Sequence, residues 1–141
     1  MKVKAHTCLI GETGYANHAR NFFTALNKLA PVKVRNYTVG GSWEGLDGLH
    51  DKEWYLTDEH KEMLVEQILF ESDGSRNDVP IYAYDKSYVP DVNITLETVG
   101  HHIFHDDHDG YSIGYNVWET TEYPPDFFNL IQKHDEFWVP T

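Results

Sequence analysis

The densest group of chemistry-bearing side chains lies between Gly100 and Gly110, GHHIFHDDHDG, where His101, His102, His105 and His108 stand among Asp106, Asp107 and Asp109. Imidazole and carboxylate are ligands for zinc, iron or manganese, so a metal-dependent hydrolase is one chemistry this stretch could perform. Its spacing argues against that. The stretch contains neither H-E-x-x-H nor H-x-H-x-D-H, and no cysteine stands near it. A loop without a backbone period also gives no reason for three ligands to converge. The plainer reading is a solvated surface loop. A third reading is catalytic, because a loop that follows an apolar strand opens at the carboxyl edge of a parallel sheet, where α/β sites are built. Glu119 is the other candidate, placed after the apolar and aromatic positions Ile113, Tyr115, Val117 and Trp118. It either caps the next turn through backbone N–H groups or faces a cleft and takes ligand hydroxyls. A serine nucleophile elbow is absent, since Gly41-Ser42 sits in G-S-W-E-G. The single cysteine, Cys8, falls within an apolar strand-like run and reads as a small core residue, not a nucleophile.

The elements that must position these groups follow from periodicity. Val3 to Ile10 is an apolar run of strand length, closed by Gly11-Glu12-Thr13-Gly14. From Ala16, the residues Ala16, Ala19, Phe22, Phe23, Leu26 and Leu29 recur at helical spacing until Pro31 stops them. Strand, glycine turn and helix open a nucleotide-type fold, whose helix N-terminus offers unpaired N–H groups to an anion. The turn lacks G-x-G-x-x-G, which removes support for NAD, and lacks the Gly-Lys-Ser/Thr of a P-loop. It could equally serve only for close passage from strand to helix.

Val32 to Val39 reads as a second strand and residues 40 to 54 as a loop. Trp43 and Trp54 in that loop either stack on a sugar face or pin the loop down. Thr57 reads as the N-cap of a helix running through Phe70, with Asp58 and Glu59 in its first turn. A turn cluster spans Glu71 to Asn77, and Val79 to Tyr84 and Val92 to Leu96 read as short buried strands. The sequence closes with a buried strand over Ser112 to Trp118, a helix over Pro124 to His134 and a second buried strand over Glu136 to Val139. That is the βαβ grammar of a parallel sheet, so the expected fold is a single Rossmann-like α/β domain with a mostly parallel sheet flanked by helices.

Composition bounds the function. The 141 residues suffice for one domain with a core, and 40% hydrophobic with 14% aromatic residues argues for a globular chain. Eleven basic against 23 acidic residues give a net charge of -12, which repels nucleic acid phosphates and anionic lipid surfaces. The N-terminal residues show no signal-peptide pattern and no long apolar span follows, so a cytoplasmic protein without membrane insertion is expected.

Two motifs carry a family resemblance. Gly11 to Arg20, G-x-x-G-Y-A-x-x-A-R, and the closing segment Trp118-Glu119-Thr120, Pro124-Pro125 and Asp135-Glu136-Phe137-Trp138-Val139-Pro140-Thr141 resemble the N-terminal, acceptor-side domain of family 4-like glycosyltransferases of the GT-B fold. The resemblance implies sugar transfer from a nucleotide-sugar donor to a glycan or other hydroxyl acceptor, with no metal or other cofactor. It implies that Gly11, Thr13, Gly14 and Tyr15 form the donor-phosphate loop. His101, His102 and Glu119 would be catalytic, and Trp43, Trp118 and Thr120 would contact the acceptor. It also implies a separate donor-binding domain or partner chain, because Thr141 stands where relatives run on into a further helix. On that expectation residues 1–141 alone turn over little substrate. A non-catalytic carbohydrate- or partner-binding module using Trp43, Trp54, Tyr82, Tyr84 and Tyr88 stays open beside it.

Overall fold

The computed structural model describes residues 1–10, 14–37, 56–70, 76–80, 87–97, 110–116, 129 and 131–139, with 37, 66–70, 76–80 and 97 described by backbone alone. Within them the chain runs β1 (Val3–Thr7), α1 (Gly14–Asn27), β2 (Val32–Tyr37), α2 (Asp58–Met63), β3 (Leu64–Phe70), β4 (Arg76–Pro80), β5 (Val92–Glu97), β6 (Tyr111–Asn116) and β7 (Glu136–Trp138). The strands form one seven-stranded sheet in the order β4-β3-β2-β1-β5-β6-β7. Every neighbouring pair is parallel except β3 and β4. The expected α/β fold with a mostly parallel sheet is therefore present, and the strand order reverses between β1 and β5.

Helix α1 forms where the sequence places it. Ala16, Ala19 and Phe23 are buried, and Phe22 and Leu26 are partly buried against the core. The two alanines leave room for the helix to lie close on the sheet. The helix stops at Asn27, where the N–H groups of Leu29 and Ala30 both turn back to the Leu26 carbonyl, at 2.9 and 3.0 Å. Asn27 Oδ1 then accepts the Val32 N–H at 2.9 Å, which starts β2. Leu29, expected on the buried stripe, lies past the helix end and is 85% exposed.

The sheet has two unlike faces. Val3, Ala5, Val32, Val34, Ile94, Leu96 and Ile113 share the face under α1 and form the core with Leu9, Phe23, Met63 and Leu64. On the other face the same strands carry His6, Arg35, Asn93, Thr95, Ser112 and Asn116, all buried.

Three expectations need correction. The segment from Thr57 is not helical to Phe70: α2 ends at Met63, and Leu64–Phe70 is a strand parallel to β2. Met63, Leu64, Ile68 and Leu69 fit a helical spacing, yet the run LVEQILF also suits a strand, and pairing with β2 decides it. The strand expected over Val79 to Tyr84 begins earlier, at Arg76, and pairs antiparallel with β3 at the sheet edge. Polar residues and a proline are tolerated on an edge strand because one side of its ladder is unpaired. The last strand, expected to be buried, is an edge strand of three residues, with Trp138 39% and Val139 53% exposed. Of the helix expected over Pro124 to His134, Asn129 and Ile131 are helical and the rest of 124–130 lies outside the described residues.

The amino edge of the sheet is tied by backbone. Asp91 and Val92 donate N–H groups to the Lys2 carbonyl at 2.9 and 3.2 Å, and Tyr111 N–H reaches Asp91 O at 3.0 Å. Gly110 makes that junction possible with φ +97, and a Cβ there would stand 2.7 Å from Asp91 O.

Candidate functional site

In an open parallel sheet the crevice outside the carboxyl ends of the strands, where their order reverses, is the natural ligand site. Here that point lies between β1 and β5. The turn after β1 is fixed by side chains from its neighbours. Asn36, at the end of β2, accepts the Leu9 and Ile10 N–H groups on its Oδ1 at 2.5 and 2.9 Å. Arg20 Nη1, from the second turn of α1, donates to the Leu9 carbonyl at 2.8 Å. Cys8 lies just past β1, is buried, and points its Sγ at Ile10 O, 3.2 Å away. A free thiol held this way is a packing residue, as its place in the apolar run suggested.

With the turn so anchored, α1 begins at Gly14. Its first turn contains no acidic residue, in a chain of net charge -12. Gly14 is exposed, and a Cβ built on it would meet nothing within 4 Å. Close passage of strand to helix is therefore not what calls for glycine here. The dipole of a helix is positive at its N-terminus, so α1 turns a partial positive charge toward the crevice. One turn on, His18 Nε2 lies 3.0 Å from Tyr115 Oη of β6. The two rings meet edge to face at 5.6 Å, and Trp138 lies 6.5 Å beyond Tyr115. An aromatic band thus runs from α1 across β6 to β7.

The start of α2 is built differently. Thr57 Oγ1 accepts the His60 N–H at 3.2 Å, and His60 Nδ1 accepts the Thr57 N–H at 3.0 Å, which closes a capping box. Asp58 and Glu59 fill the first turn. Burial holds the His60 pKa below the ordinary 6.5, the Arg20 charge lowers it further, and Glu59 opposes both.

The polar face adds a second set of groups. His6 Nε2 lies 3.3 Å from Asn93 Oδ1, and Ser112 Oγ lies 2.7 Å from His134 Nδ1. Asn116, at the carboxyl end of β6, is 1% exposed, and neither its Oδ1 nor its Nδ2 has a hydrogen-bond partner.

Of the residues singled out from sequence, Gly14 and Tyr15 stand at the start of α1, beside the strand-order reversal. Gly11, Thr13, Trp43, His101, His102, Trp118, Glu119 and Thr120 lie outside the described residues, as do His105, His108, Trp54, Tyr82, Tyr84 and the three aspartates between Asp106 and Asp109. Tyr88 stands at the opposite, amino edge, where its hydroxyl reaches the carbonyls of Val3 and Pro31, each at 2.9 Å. Burial raises its pKa, and it works there as a clasp between β1 and the entry to β2. Asn36, Arg20, His18 and Asn116 were not anticipated. The signal for the polar face was nevertheless in the sequence: VKAHT and VNITL alternate, whereas strands buried by apolar packing on both faces read as continuous hydrophobic runs.

Among the described residues no helix is long and apolar enough to cross a membrane. No family model, curated protein or solved structure matches the chain.

Proposed function

We propose that the chain binds a phosphate-bearing small molecule at the N-terminus of α1. Following the resemblance of Gly11–Arg20 and the closing segment, the ligand is a nucleotide sugar whose sugar passes to a hydroxyl acceptor. The observation that carries this is a 14-residue helix with no acidic residue in its first turn, starting beside the point where the strand order reverses. An anion placed there meets the positive end of the dipole without competing with a side-chain carboxylate in the first turn. Arg20 and Asn36 serve it indirectly by fixing the turn that aims the helix.

In sugar transfer the same donors would stabilise negative charge on the departing diphosphate, and the rigid sheet edge would hold donor and acceptor in line. The resemblance assigns the donor's nucleoside to another domain, so binding by these residues alone is weak, on the order of millimolar. Calorimetry with UDP, GDP and ADP and their glucose or mannose forms tests this, comparing wild type with Gly14→Pro. Proline at the first helical position keeps the helix but deletes one N–H that no helical carbonyl takes. The expected result is detectable binding that falls about tenfold in the variant at unchanged melting temperature. Absence of binding in wild type, or equal affinity in the two proteins, contradicts the proposal.

A further inference from the structure

The sheet face that carries α1 extends past the helix onto β6 and β7. Tyr111, Ile113 and Tyr115 alternate along β6 on that face, with Ile113 in register with Glu136 and Tyr115 with Trp138. Helix α1 covers the near side, where His18 and Phe22 each meet the Tyr115 ring at 5.6 Å. Beyond it Tyr111 is 44% and Trp138 39% exposed, so two large rings face outward. They are held in place all the same. The Trp138 indole N–H and the Tyr111 hydroxyl donate to Glu136 Oε2 and Oε1, each at 2.9 Å, and these bonds hold the Glu136 pKa below the ordinary 4.5. An ionised carboxylate thus stands among three aromatic rings, next to Asp135, in a chain of net charge -12.

That chemistry selects an occupant. An apolar helix laid on this face would strip water from the carboxylate and give nothing in return, and a second copy would bring its own Glu136 and a further net charge of -12. A cation is attracted twice, by the carboxylate and by the negative faces of the rings. Strand β7 supplies the form of the partner. It ends the sheet, and among the described residues no strand pairs with its outer side. An extended segment added there sends every second side chain onto this face. We propose that β7 and the face formed by Tyr111, Tyr115 and Trp138 dock an extended basic segment of a partner protein, with an arginine lying against Trp138 and paired to Glu136. Arginine suits the place better than lysine, because its planar guanidinium both stacks on a ring and forks onto a carboxylate. The inference does not rest on the phosphate reading.

The probe is the peptide acetyl-Arg-Thr-Arg-Thr-Arg-amide, and its control carries citrulline, a neutral group of the same shape, at the three arginine positions. Each is titrated into the 15N-labelled protein at low salt. The expected result is saturable shifts at the Trp138 indole N–H and at the amides of Glu136 to Trp138, with affinity at least about tenfold weaker for the citrulline peptide. Glu136→Gln and Trp138→Leu should each weaken binding of the arginine peptide about fivefold, whereas Glu62→Gln, the same charge change on exposed α2, should alter it less than about twofold. Because Glu136 and Trp138 are exposed on an edge strand of three residues, amide shifts elsewhere should stay at wild-type values; if Trp138→Leu does not fold, Glu136→Gln carries the test. Equal affinity for the two peptides, equal loss with Glu62→Gln, or no saturable shift at β7 overturns the inference. So does a change of the same signals with protein concentration alone, which would mean that a second copy covers the face.

Discussion

The starts of α1 and α2 differ in the charge of their first turns. Every α-helix begins with unpaired N–H groups, and α2 closes its own: Thr57 and His60 cap each other, and Asp58 and Glu59 oppose the dipole. Helix α1 starts with exposed Gly14 and no acid in its first turn, although the chain carries 23 acidic residues. Its stability comes from elsewhere, through Phe23 and the alanines against the sheet and through Asn36 and Arg20 on the preceding turn. On the reading proposed above, the absence of an acid from the first turn of α1 leaves the positive end of its dipole to a ligand anion. The capped helix is only a support.

Changes that attack the anchoring of α1 should have the largest effect. Asn36→Leu strips the partner from two buried N–H groups and should cost about 2–6 kcal/mol in urea unfolding, since each unsatisfied buried group costs about 1–3. A loss below about 1 kcal/mol would mean that the turn is not held from β2. Next in size is the α2 cap: Thr57→Ala should cost about 1 kcal/mol.

His60 supplies a pH dependence. Its pKa in the folded state is lowered, so its contribution to stability is complete above about 6.5 and is lost as pH falls through the lower folded value. Protonation also turns Nδ1 from an acceptor for Thr57 N–H into a donor, which opens the capping box. Melting temperature should fall between neutral and mildly acid pH, and His60→Gln should flatten that slope; an unchanged slope would contradict the role given to the cap. The smallest effect is expected at the start of α1. Gly14→Ala should leave stability equal or raise it by about 0.5–1 kcal/mol, because nothing stands within 4 Å of the new methyl and the unfolded chain loses freedom. A clear loss there would show that Gly14 serves the fold.

Much of this frame was legible in the sequence. The stripe from Ala16 to Leu26, Pro31 after it and the alternating VNITL identify α1 and β5 through local periodicity alone. Thr57 with Asp58 and Glu59 announced the start of α2 correctly, but not its end. Leu64 to Phe70 satisfies two periods at once, and a partner strand 30 residues earlier in the chain, Val34 in register with Leu64, settles which one wins. Local spacing marks the start of α1 at Gly14 and Tyr15, because a single turn forms it. Asn36 reaches that turn from the end of β2, 26 residues from Ile10, so no local spacing points to it.

The most direct test of an open anion site at α1 is a titration of the 15N-labelled protein with a nucleoside diphosphate, followed by amide chemical shifts. The account predicts saturable shifts at Gly14, Tyr15 and Ala16, with the amides of Thr57 to His60 unmoved. Shifts that cluster elsewhere, or no saturable change at the start of α1, would contradict it.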